Sequence, residues 1–455
     1  MQPFIWFKHQ YKQRHYLNLI HYYLNIMKSI ENAKITHVKK SLGKLFSFAL
    51  TVALSPLFFA CNSDSEGDIN HEIQEDAKPI ELRLMAKVET DNDFALDLLK
   101  ATYKFDDKDN IFISPLSVSM ALSMTLNGAK GATLDEMKEA LRAKGYSANE
   151  INEYNKSLKK ALLEVDNSTE IAIANSIWYR NSYTVKNDFI TVNKDNYDAE
   201  IKAIDFNSPN AVTQINGWCA EHTKDKITEI IQEISSDEIM YLINAIYFKG
   251  IWKSRFDKKN TNKEDFFSEN KSSSGKVDMM NQTGAFDYFA DDNCQYIRLP
   301  YGNKAFSMVV ILPDEVKTVN DIISNLDSEQ WNNAMENMRE HEVNLSFPRF
   351  KTECEYKMRK SILPEMGMIT PFIGGLADFS GIMDISIYIS QVIHKTFVEV
   401  NEEGTEAAAV TAVIMKGYSM LPTKSINFKV NKPFVFAIRE NSTGVILFIG
   451  KMGKI

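Results

Sequence analysis

The chain has 455 residues, with 44% apolar residues, 25% charged residues and a formal net charge of −8, which are ordinary values for a globular protein. The acidic balance and the lack of a dense Lys/Arg cluster in the body argue against nucleic-acid binding. No internal repeat is visible.

The first 60 residues differ in kind from the rest. They carry eight Lys/Arg against one Glu, and an apolar run over 45–60 ends at Cys61. A basic region, an apolar region of this length and a small residue before the cleavage point predict a secretory signal peptide over 1–60. Residues 57–61 resemble a bacterial lipobox, which predicts lipid attachment to Cys61. Met27 is an alternative start of the leader.

An acidic, polar stretch comes after the leader. Residues 62–77 are rich in Asp, Glu, Ser and Asn and poor in large apolar side chains, a composition that favours disorder. We therefore predict a flexible tether over 61–90. The acidic cluster after Cys61 resembles the surface-export signals of Bacteroidota lipoproteins. We expect export across the inner membrane and anchoring at the outer membrane or cell surface, with membrane contact only through the lipid.

The first predicted element of the folded body is an amphipathic helix that begins near Asp91. Apolar residues recur at helical spacing over 94–103. A short strand over Ile111–Ile113 comes next, and Pro115 ends it. Ser117 is then placed to cap a helix that is apolar nearly all round, which is typical of a helix buried in a core.

The rest of the body combines further helices with many strands. Residues 133–136 (TLDE) have the pattern of a capping box and predict the start of the next helix. Apolar runs bounded by turn residues predict strands at 171–179, 242–248, 306–312, 343–347, 392–400, 433–438 and 445–449. Helices dominate the first half and strands the second, so we predict an α+β fold. No long linker divides the body, which predicts one domain over 91–455.

One segment near the C-terminus has an unusual composition. Residues 397–400 alternate like a strand, and two acids and a glycine then lead into a run of small side chains. Glycine followed by small, β-compatible residues predicts a flexible hinge that leads into an exposed loop. Taken alone, the three alanines 407–409 are also compatible with one turn of surface helix.

Several blocks along the body resemble the serpin family in order and spacing. They are NIFISPLSVSMAL (110–122), LINAIYFKGIWKSRF (242–256), ADFSGI (377–382), ISQVIHK (389–395), NEEGTEAAAVTA (401–412) and NKPFVFAI (431–438). The resemblance implies the serpin fold, with three β-sheets, eight or nine helices and an exposed reactive-centre loop. It also implies suicide inhibition, in which a protease cleaves the loop, an acyl-enzyme forms, and the loop inserts as a strand into the central sheet.

The resemblance assigns a hinge to the start of this loop. Its residues are Glu402, Glu403, Gly404, Thr405, Glu406, Ala407, Ala408, Ala409, Val410 and Thr411. An inserting strand alternates its two faces, so the odd-numbered side chains from Thr405 to Met415 are expected to point inward. The inward residues through Thr411 are small and uncharged, so insertion buries no charge there.

The family's spacing places the scissile bond at Tyr418–Ser419. A tyrosine before this bond suits the apolar specificity pocket of chymotrypsin-like proteases. Lys416, Met420 and Leu421 are alternative cleavage positions, and Lys416 would suit a trypsin-like enzyme. We expect the partner to be a serine protease, with cysteine proteases as the alternative, and we expect the inhibitor to be a monomer.

The resemblance also implies a polar cluster beneath the central sheet, where the strands must part. Its members are Ser114, Ser117, Asn244 and His394, and Trp252 lies at the top of the opening. The sequence contains no G-x-S-x-G, H-E-x-x-H, P-loop or dinucleotide fingerprint, so we predict that the chain is not an enzyme. A non-inhibitory serpin that acts as a surface binding module is the alternative function.

The cysteines and histidines of the body predict no metal or disulfide chemistry. Cys219, Cys294 and Cys354 are odd in number and widely spaced, without a C-x-x-C pair. The four histidines after residue 61 share no ligand spacing. We therefore expect buried free thiols, no metal and no cofactor.

Overall fold

The α-helices lie mainly in the first half of the chain. The computed structural model describes residues 75–269, 272–405 and 425–455. Within these ranges the α-helices are α1 (Met85–Phe105), α2 (Pro115–Leu126), α3 (Gly131–Ala140), α4 (Ala148–Glu164), α5 (Asn187–Tyr197), α6 (Ala211–His222), α7 (Val319–Asn325), α8 (Ser328–Asn337) and α9 (Ile362–Glu365). Short 3₁₀ helices cover Lys258–Asn260 and Thr370–Phe372. The predicted α+β class is confirmed.

The strands of the described residues form two sheets. The smaller sheet contains β2 (Glu170–Arg180), β3 (Glu200–Ile204), β4 (Met240–Ile251), β10 (Phe350–Lys357), β11 (Ile393–Asn401) and β12 (Gly404–Thr405). Its order is β10-β11-β12-β4-β2-β3. The larger sheet contains β1 (Asn110–Ile113), β5 (Asn262–Phe267), β6 (Ser273–Ala290), β7 (Cys294–Pro300), β8 (Phe306–Pro313), β9 (Arg339–Pro348), β13 (Ile426–Lys429), β14 (Phe434–Glu440) and β15 (Ile446–Met452). Its order is β1-β15-β14-β8-β7-β6-β9-β13, and β5 pairs with β6 beside this series.

A third sheet, which the resemblance implied, is not separate within the part of the chain that the structure describes. The reason is the length of β6, which has 18 residues. One portion of β6 pairs with β5 and β9, and its last residues, Asp287–Ala290, pair with β7. Because β6 runs through both pairings without a break, the two portions belong to one hydrogen-bonded sheet.

Helix α2 lies in the core and contacts both sheets, through β4 on one side and β15 on the other. Its sequence has no polar face, and such a helix is stable only when it is covered all round. The N-cap is Ser114, so the prediction of Ser117 as the cap was wrong. The Ser114 hydroxyl accepts a hydrogen bond from the Ser117 N–H at 3.2 Å. Pro115 then occupies the first turn, where its missing N–H costs nothing.

Two helices begin earlier than predicted. Helix α1 begins at Met85, and α3 begins at Gly131 rather than at a capping box. The capping box does not form because Thr133 and Glu136 bind main-chain N–H groups of the distant segment 369–378. Tertiary contacts therefore override the local capping pattern at this position.

Residues 75–84 lie on the body, although the composition predicted a tether as far as residue 90. We call this segment the strap. The Asp76 carboxylate is 2.9 Å from Lys253 Nζ and 2.8 Å from Lys304 Nζ, and these contacts lower the pKa of Asp76. Leu82 is buried against the core. The composition placed the end of the tether too late in the chain, because the acidic side chain of Asp76 has basic partners on the body.

The centre of the larger sheet is buried on both faces and is mostly apolar. All residues of β8, β14 and β15 are buried, as expected for strands that read as continuous apolar runs. Phe112 stacks on Phe436 and Phe448 with ring centroids 5.4 and 5.2 Å apart. Across the described ranges, no helix combines the length and apolar character needed to span a membrane.

Candidate functional site

The last described residues of the hinge form the two-residue strand β12, which lies between β11 and β4. Thr405 is opposite Val400 of β11 and Gly250 of β4, and both pairings are antiparallel. Gly404 has φ +154°, and a Cβ atom at this position would lie 2.0 Å from the Gly250 carbonyl oxygen. Only glycine allows the hinge to approach the β4 backbone this closely.

Two stacked aromatic rings hold Thr405. The Tyr301 hydroxyl is 2.6 Å from Thr405 Oγ1, and both residues are buried. The Trp252 ring stacks on Tyr301 with centroids 4.5 Å apart, and Trp252 Nε1 donates to the Asn401 carbonyl at 2.9 Å. Burial raises the pKa of Tyr301, which keeps its hydroxyl protonated. Trp252 therefore lies at the end of the smaller sheet that holds the hinge, together with Tyr301, which was not predicted.

Glu402 fixes the turn that precedes the hinge strand. Arg349 Nη2 donates to both carboxylate oxygens, at 2.5 and 2.7 Å, and Thr261 Oγ1 donates at 2.8 Å. The Glu402 side chain is 1% exposed. Burial alone would raise its pKa, but the hydrogen bonds from Thr261 and Arg349 outweigh this and lower the pKa. Glu402 is therefore an ionised, fully partnered anchor.

Ser114, Ser117, Asn244 and His394 form one polar cluster beneath the smaller sheet, in which Asn244 is half-buried and the other three residues are buried. His394 Nε2 accepts a hydrogen bond from the Ser114 N–H at 2.9 Å, and the Ser114 hydroxyl donates to the Leu447 carbonyl at 2.8 Å. The Ser117 hydroxyl donates to the Asn244 carbonyl at 3.4 Å. Burial lowers the pKa of His394 to about 3, so the imidazole is neutral. The cluster thus connects α2 with β4, β11 and β15.

Asn244 is only partly satisfied within this cluster. Its Nδ2 donates to Asn175 Oδ1 at 2.7 Å, and Asn175 Nδ2 donates to the Tyr197 carbonyl at 2.7 Å. Among the described residues, Asn244 Oδ1 is buried and has no hydrogen-bond partner. An unmet buried acceptor of this kind costs about 1–3 kcal/mol.

A cleft of about 150 Å³ runs alongside this cluster. Leu242 and Asn244 line it from β4, His394 lines it from β11, and Ser117 and Ala121 line it from α2. Over the described residues, β4 and β11 are joined only through β12, which contributes two residues at one end. The smaller sheet therefore has a gap between two central strands.

The sequence of the chain matches a known protein family. The family model described as Serpin (serine protease inhibitor) matches residues 89–455. The chain belongs to the serpin family. Serpin B3 of Homo sapiens is 36% identical over 391 residues, which cover 80% of this chain and 98% of that protein. The leukocyte elastase inhibitor of Homo sapiens is 35% identical over 375 residues, which cover 79% of this chain and 97% of that protein.

Solved serpin structures match the fold as well. The thermophilic serpin Tengpin in its native state has a TM-score of 0.75 at 35% identity, covering 83% of this chain and 96% of that chain. Serpins are generally protease inhibitors rather than catalysts, and they act on target proteases. In this serpin, the hinge residues Gly404 and Thr405 lie between β11 and β4 of the smaller sheet.

Not all of the predicted site residues fall within the described part of this serpin. Glu402 to Thr405 and the five sheet-opening residues do. The rest lie outside the described residues: Cys61, Glu406, Ala407, Ala408, Ala409, Val410, Thr411, Tyr418 and Ser419. Arg349, Thr261, Tyr301 and Asn175 were not predicted, because their roles depend on contacts between distant parts of the chain.

The described cysteines agree with the sequence analysis. Cys219, Cys294 and Cys354 are free and buried, which confirms the prediction of buried thiols. Burial raises the pKa of Cys219 and Cys294 to about 12, so both thiols are protonated and unreactive at neutral pH. No group of three or more His, Cys, Asp or Glu side chains within the described ranges is placed to hold a metal ion.

The buried neutral His394 predicts acid sensitivity. Its pKa is about 3 when folded and about 6.5 when unfolded, so in this window the unfolded chain binds a proton that the folded chain does not. Stability from this group is complete above about pH 6.5 and falls with decreasing pH, by up to ~1.4 kcal/mol per unit. His394→Gln retains an acceptor for Ser114 and removes the titration.

The measurement is the free energy of unfolding of both proteins in urea, between about pH 7 and about pH 4. Tryptophan fluorescence detects the unfolding. We expect the stability advantage of the wild type over His394→Gln to shrink steadily as the pH falls. A difference that is constant across this range would contradict a neutral, desolvated His394.

Proposed function

We propose that this serpin is a suicide inhibitor of serine proteases, with chymotrypsin- or elastase-like enzymes as its targets. The observation that carries the proposal is the position of β12. Gly404 and Thr405 already pair with β4 and β11, so the hinge starts a strand at the point where the sheet has its gap. Continuing that strand would complete the sheet.

The register of β12 defines what an inserted loop would contact. Extending both ladders by the same register brings residue 407 opposite Phe248 and Val398, and residue 409 opposite Ile246 and Thr396. These four residues belong to strands that border the gap, and directly opposed side chains share a face of a sheet. Ala407 and Ala409 are small enough to enter beside such neighbours without burying a charge.

The same register brings Thr411 opposite both Asn244 and His394. Asn244 Oδ1 is the buried acceptor that has no partner among the described residues. A threonine hydroxyl can donate to it, whereas an alanine at this position could not. Insertion would therefore remove a desolvation cost of about 1–3 kcal/mol from the polar cluster. This supports a state of lower free energy with the loop inserted.

The inserted length also supports Tyr418–Ser419 as the scissile bond. Counting residues in the register of β12 matches position 418 with Asp237 and Ile387, which precede β4 and β11 in the chain and also line the cleft. The same count matches Met420 with Ser235 and Ile385, and Leu421 with Ile234 and Asp384, and none of these four residues lines the cleft. The strand from Thr405 to Tyr418 is roughly 45 Å long at about 3.3 Å per residue.

The chemistry at this bond is that of a serine protease acting on a substrate. The protease serine attacks the Tyr418 carbonyl carbon, its proton passes to the protease histidine, and a tetrahedral intermediate forms. Collapse of the intermediate breaks the bond to Ser419, whose amine takes that proton and leaves. Tyr418 is now held as an ester. Insertion of the freed loop must then move the protease away before water hydrolyses the ester.

The target class is inferred from Tyr418 and from the relatives. An aromatic side chain before the scissile bond suits an apolar specificity pocket. One relative, at 35% identity, is named as an inhibitor of leukocyte elastase. A non-inhibitory surface binding module is the second candidate. Against it stand the small, uncharged inward residues of the hinge, which present no obstacle to insertion.

We also propose that the mature protein is a lipoprotein of the type found in Bacteroidota. The basic leader, the apolar run before Cys61 and the acidic residues after it support export, lipid attachment and display at the cell surface. Surface display would place the inhibitor where external proteases reach it.

The central prediction concerns chymotrypsin. Incubation of chymotrypsin with the serpin is expected to give an SDS-stable adduct. It is also expected to release a C-terminal peptide whose mass matches a chain that begins at Ser419. A peptide beginning at Gly417, Leu421 or Pro422 would move the scissile bond to Lys416, Met420 or Leu421 respectively. Cleavage without an adduct, by chymotrypsin and also by trypsin-, elastase- and papain-like enzymes, would favour the binding module.

A pair of hinge variants tests insertion itself. Ala409→Arg forces an unpaired charge into the sheet, which costs several kcal/mol and slows insertion. We expect the number of inhibitor molecules consumed per protease to rise at least about tenfold, since ~1.4 kcal/mol is a factor of ten. Ala408→Arg is the matched control, because this residue points to the opposite face, and its stoichiometry should stay within about twofold of wild type. Equal effects of both variants would contradict the proposed register.

The lipoprotein proposal is tested by metabolic labelling with a radioactive fatty acid. We expect the label on the wild-type chain and no label on Cys61→Ser, which is also expected to leave the membrane fraction. Equal labelling of the two chains would show that Cys61 is not the attachment point.

A further inference from the structure

Another cavity, of about 880 Å³, lies at the C-terminal end of α1. It is lined by residues within 100–108, by α7 and by Lys451 of β15, and we call it the α1 cavity. Its volume falls within the usual range of small-molecule sites, roughly 300–1,000 Å³. None of its lining residues belongs to the hinge, to the polar cluster or to the cleft between β4 and β11. The α1 cavity is therefore separate from the site described above.

The charged lining of the α1 cavity is mainly basic. Four lysines and two aspartates line it, which gives a net charge of +2. The lysines are Lys100 and Lys104 of α1, Lys108 of the following turn and Lys451 of β15, and the aspartates are Asp106 and Asp107. An excess of positive charge in a concave site favours an anionic ligand.

Two of these lysines already have acidic partners. Lys104 Nζ is 2.6 Å from Glu365 Oε1, and Lys108 Nζ is 3.4 Å from Asp106 Oδ2. Within the described part of the chain, the ammonium groups of Lys100 and Lys451 have neither an ion pair nor a hydrogen bond. The α1 cavity thus contains two positive charges that are available to a ligand.

The second of these, Lys451, is the lysine for which the lack of a partner is most costly. Only 9% of its surface is exposed, and its Nζ lies 4.8 Å from the centroid of the Tyr103 ring, which lines the same cavity. Burial lowers the pKa of Lys451, although the charges of Glu269, Asp109 and Asp106 oppose this shift. An aromatic face replaces only part of the hydration that a buried ammonium loses. An anion in direct contact would replace more of it.

Neutral donors lie on the α7 side of the α1 cavity. Asn320 and Ser324 line it, and the Ser324 hydroxyl donates to Asn320 Oδ1 at 3.3 Å. This hydrogen bond orients the Asn320 amide, whose nitrogen carries two N–H donors. A tetrahedral oxyanion has several strong acceptor oxygens, so it can accept hydrogen bonds from an ammonium group and an amide on different sides.

We propose that the α1 cavity binds a phosphate-type oxyanion, with Lys100 and Lys451 as its charged contacts. Inorganic phosphate and the phosphate group of a small organic monoester offer the same oxygens. Tyr103, Phe105 and Ile323 give the cavity apolar surface for an organic body. The site is independent of the proposed inhibition. A bound anion would connect α1, α7 and β15, which are distant in the chain, and would stabilise the folded state.

The test is isothermal titration calorimetry of the full chain with inorganic phosphate, at constant ionic strength so that charge screening does not change. The wild type is compared with Lys451→Met and Lys100→Met, which remove the charge and keep an apolar side chain. Lys160→Met is the matched control, because Lys160 is an exposed lysine of α4 that does not line the cavity. Lys100 is half-buried on α1, so its variant decides the question even if Lys451→Met does not fold.

We expect the wild type and Lys160→Met to bind phosphate with the same Kd, and each cavity variant to have a Kd at least about tenfold higher. The melting temperature of the wild type is expected to rise with phosphate. The inference is overturned if phosphate gives the wild type neither a binding heat nor a higher melting temperature. It is also overturned if the cavity variants bind as the wild type does, or if Lys160→Met weakens binding equally.

A parallel titration with phenyl phosphate distinguishes the two sources of the oxyanion. Tighter binding of phenyl phosphate than of inorganic phosphate would assign the site to an organic monoester whose body contacts Tyr103 and Phe105. Equal or weaker binding would assign it to the free ion.

Discussion

The smaller sheet depends on a connection of only two residues. Gly404 and Thr405 are the part of the described chain that joins β4 to β11, and both strands border a cleft below them. A sheet with a gap between central strands leaves main-chain groups without the partners that a complete ladder provides. The rest of the site either holds these two residues, through Tyr301 and Glu402, or is positioned to receive the loop that continues from them.

The buried polar cluster has a stability cost that an apolar cluster would avoid. Burial holds His394 neutral, so this side chain cannot gain the hydration of its charged form. Asn244 Oδ1 has no partner among the described residues, so it has lost the hydrogen bonds that water would provide. Hydrogen bonds in such a cluster are strong when all groups are satisfied and costly when one is not. The cluster therefore favours whichever arrangement of β4 and β11 satisfies Asn244, and it can discriminate between two states of one sheet.

The sequence predicted the fully buried strands and the alternating strand β11 well, and the strands with several charged side chains poorly. β8, β14 and β15 are fully buried and mostly apolar, and their positions were predicted to within a few residues. β5 and β10, with the sequences NKEDFF and FKTECEYK, were missed because charged side chains on their open face hide the alternation. Local patterns also failed where a distant partner competes, as Glu136 shows by binding the turn at residue 369 instead of capping α3.

The candidate site divides in the same way. Residues whose roles depend on type and order, such as the hinge glycine, were identified from the sequence. Residues whose roles depend on three-dimensional proximity were not: Tyr301 reaches Thr405 from a loop about a hundred positions away. Likewise, nothing around Arg349 in the sequence indicates that it binds Glu402.

The strap has a mechanical consequence. Lys253 comes directly after Trp252 in the chain, and Lys304 lies in the turn that begins at Tyr301, so both partners of Asp76 adjoin the aromatic pair that holds Thr405. Together with the hydrogen bond from the Ala77 N–H to the Asn303 carbonyl at 2.8 Å, these two ion pairs tie the first described residues of the chain to the turn that seats the hinge.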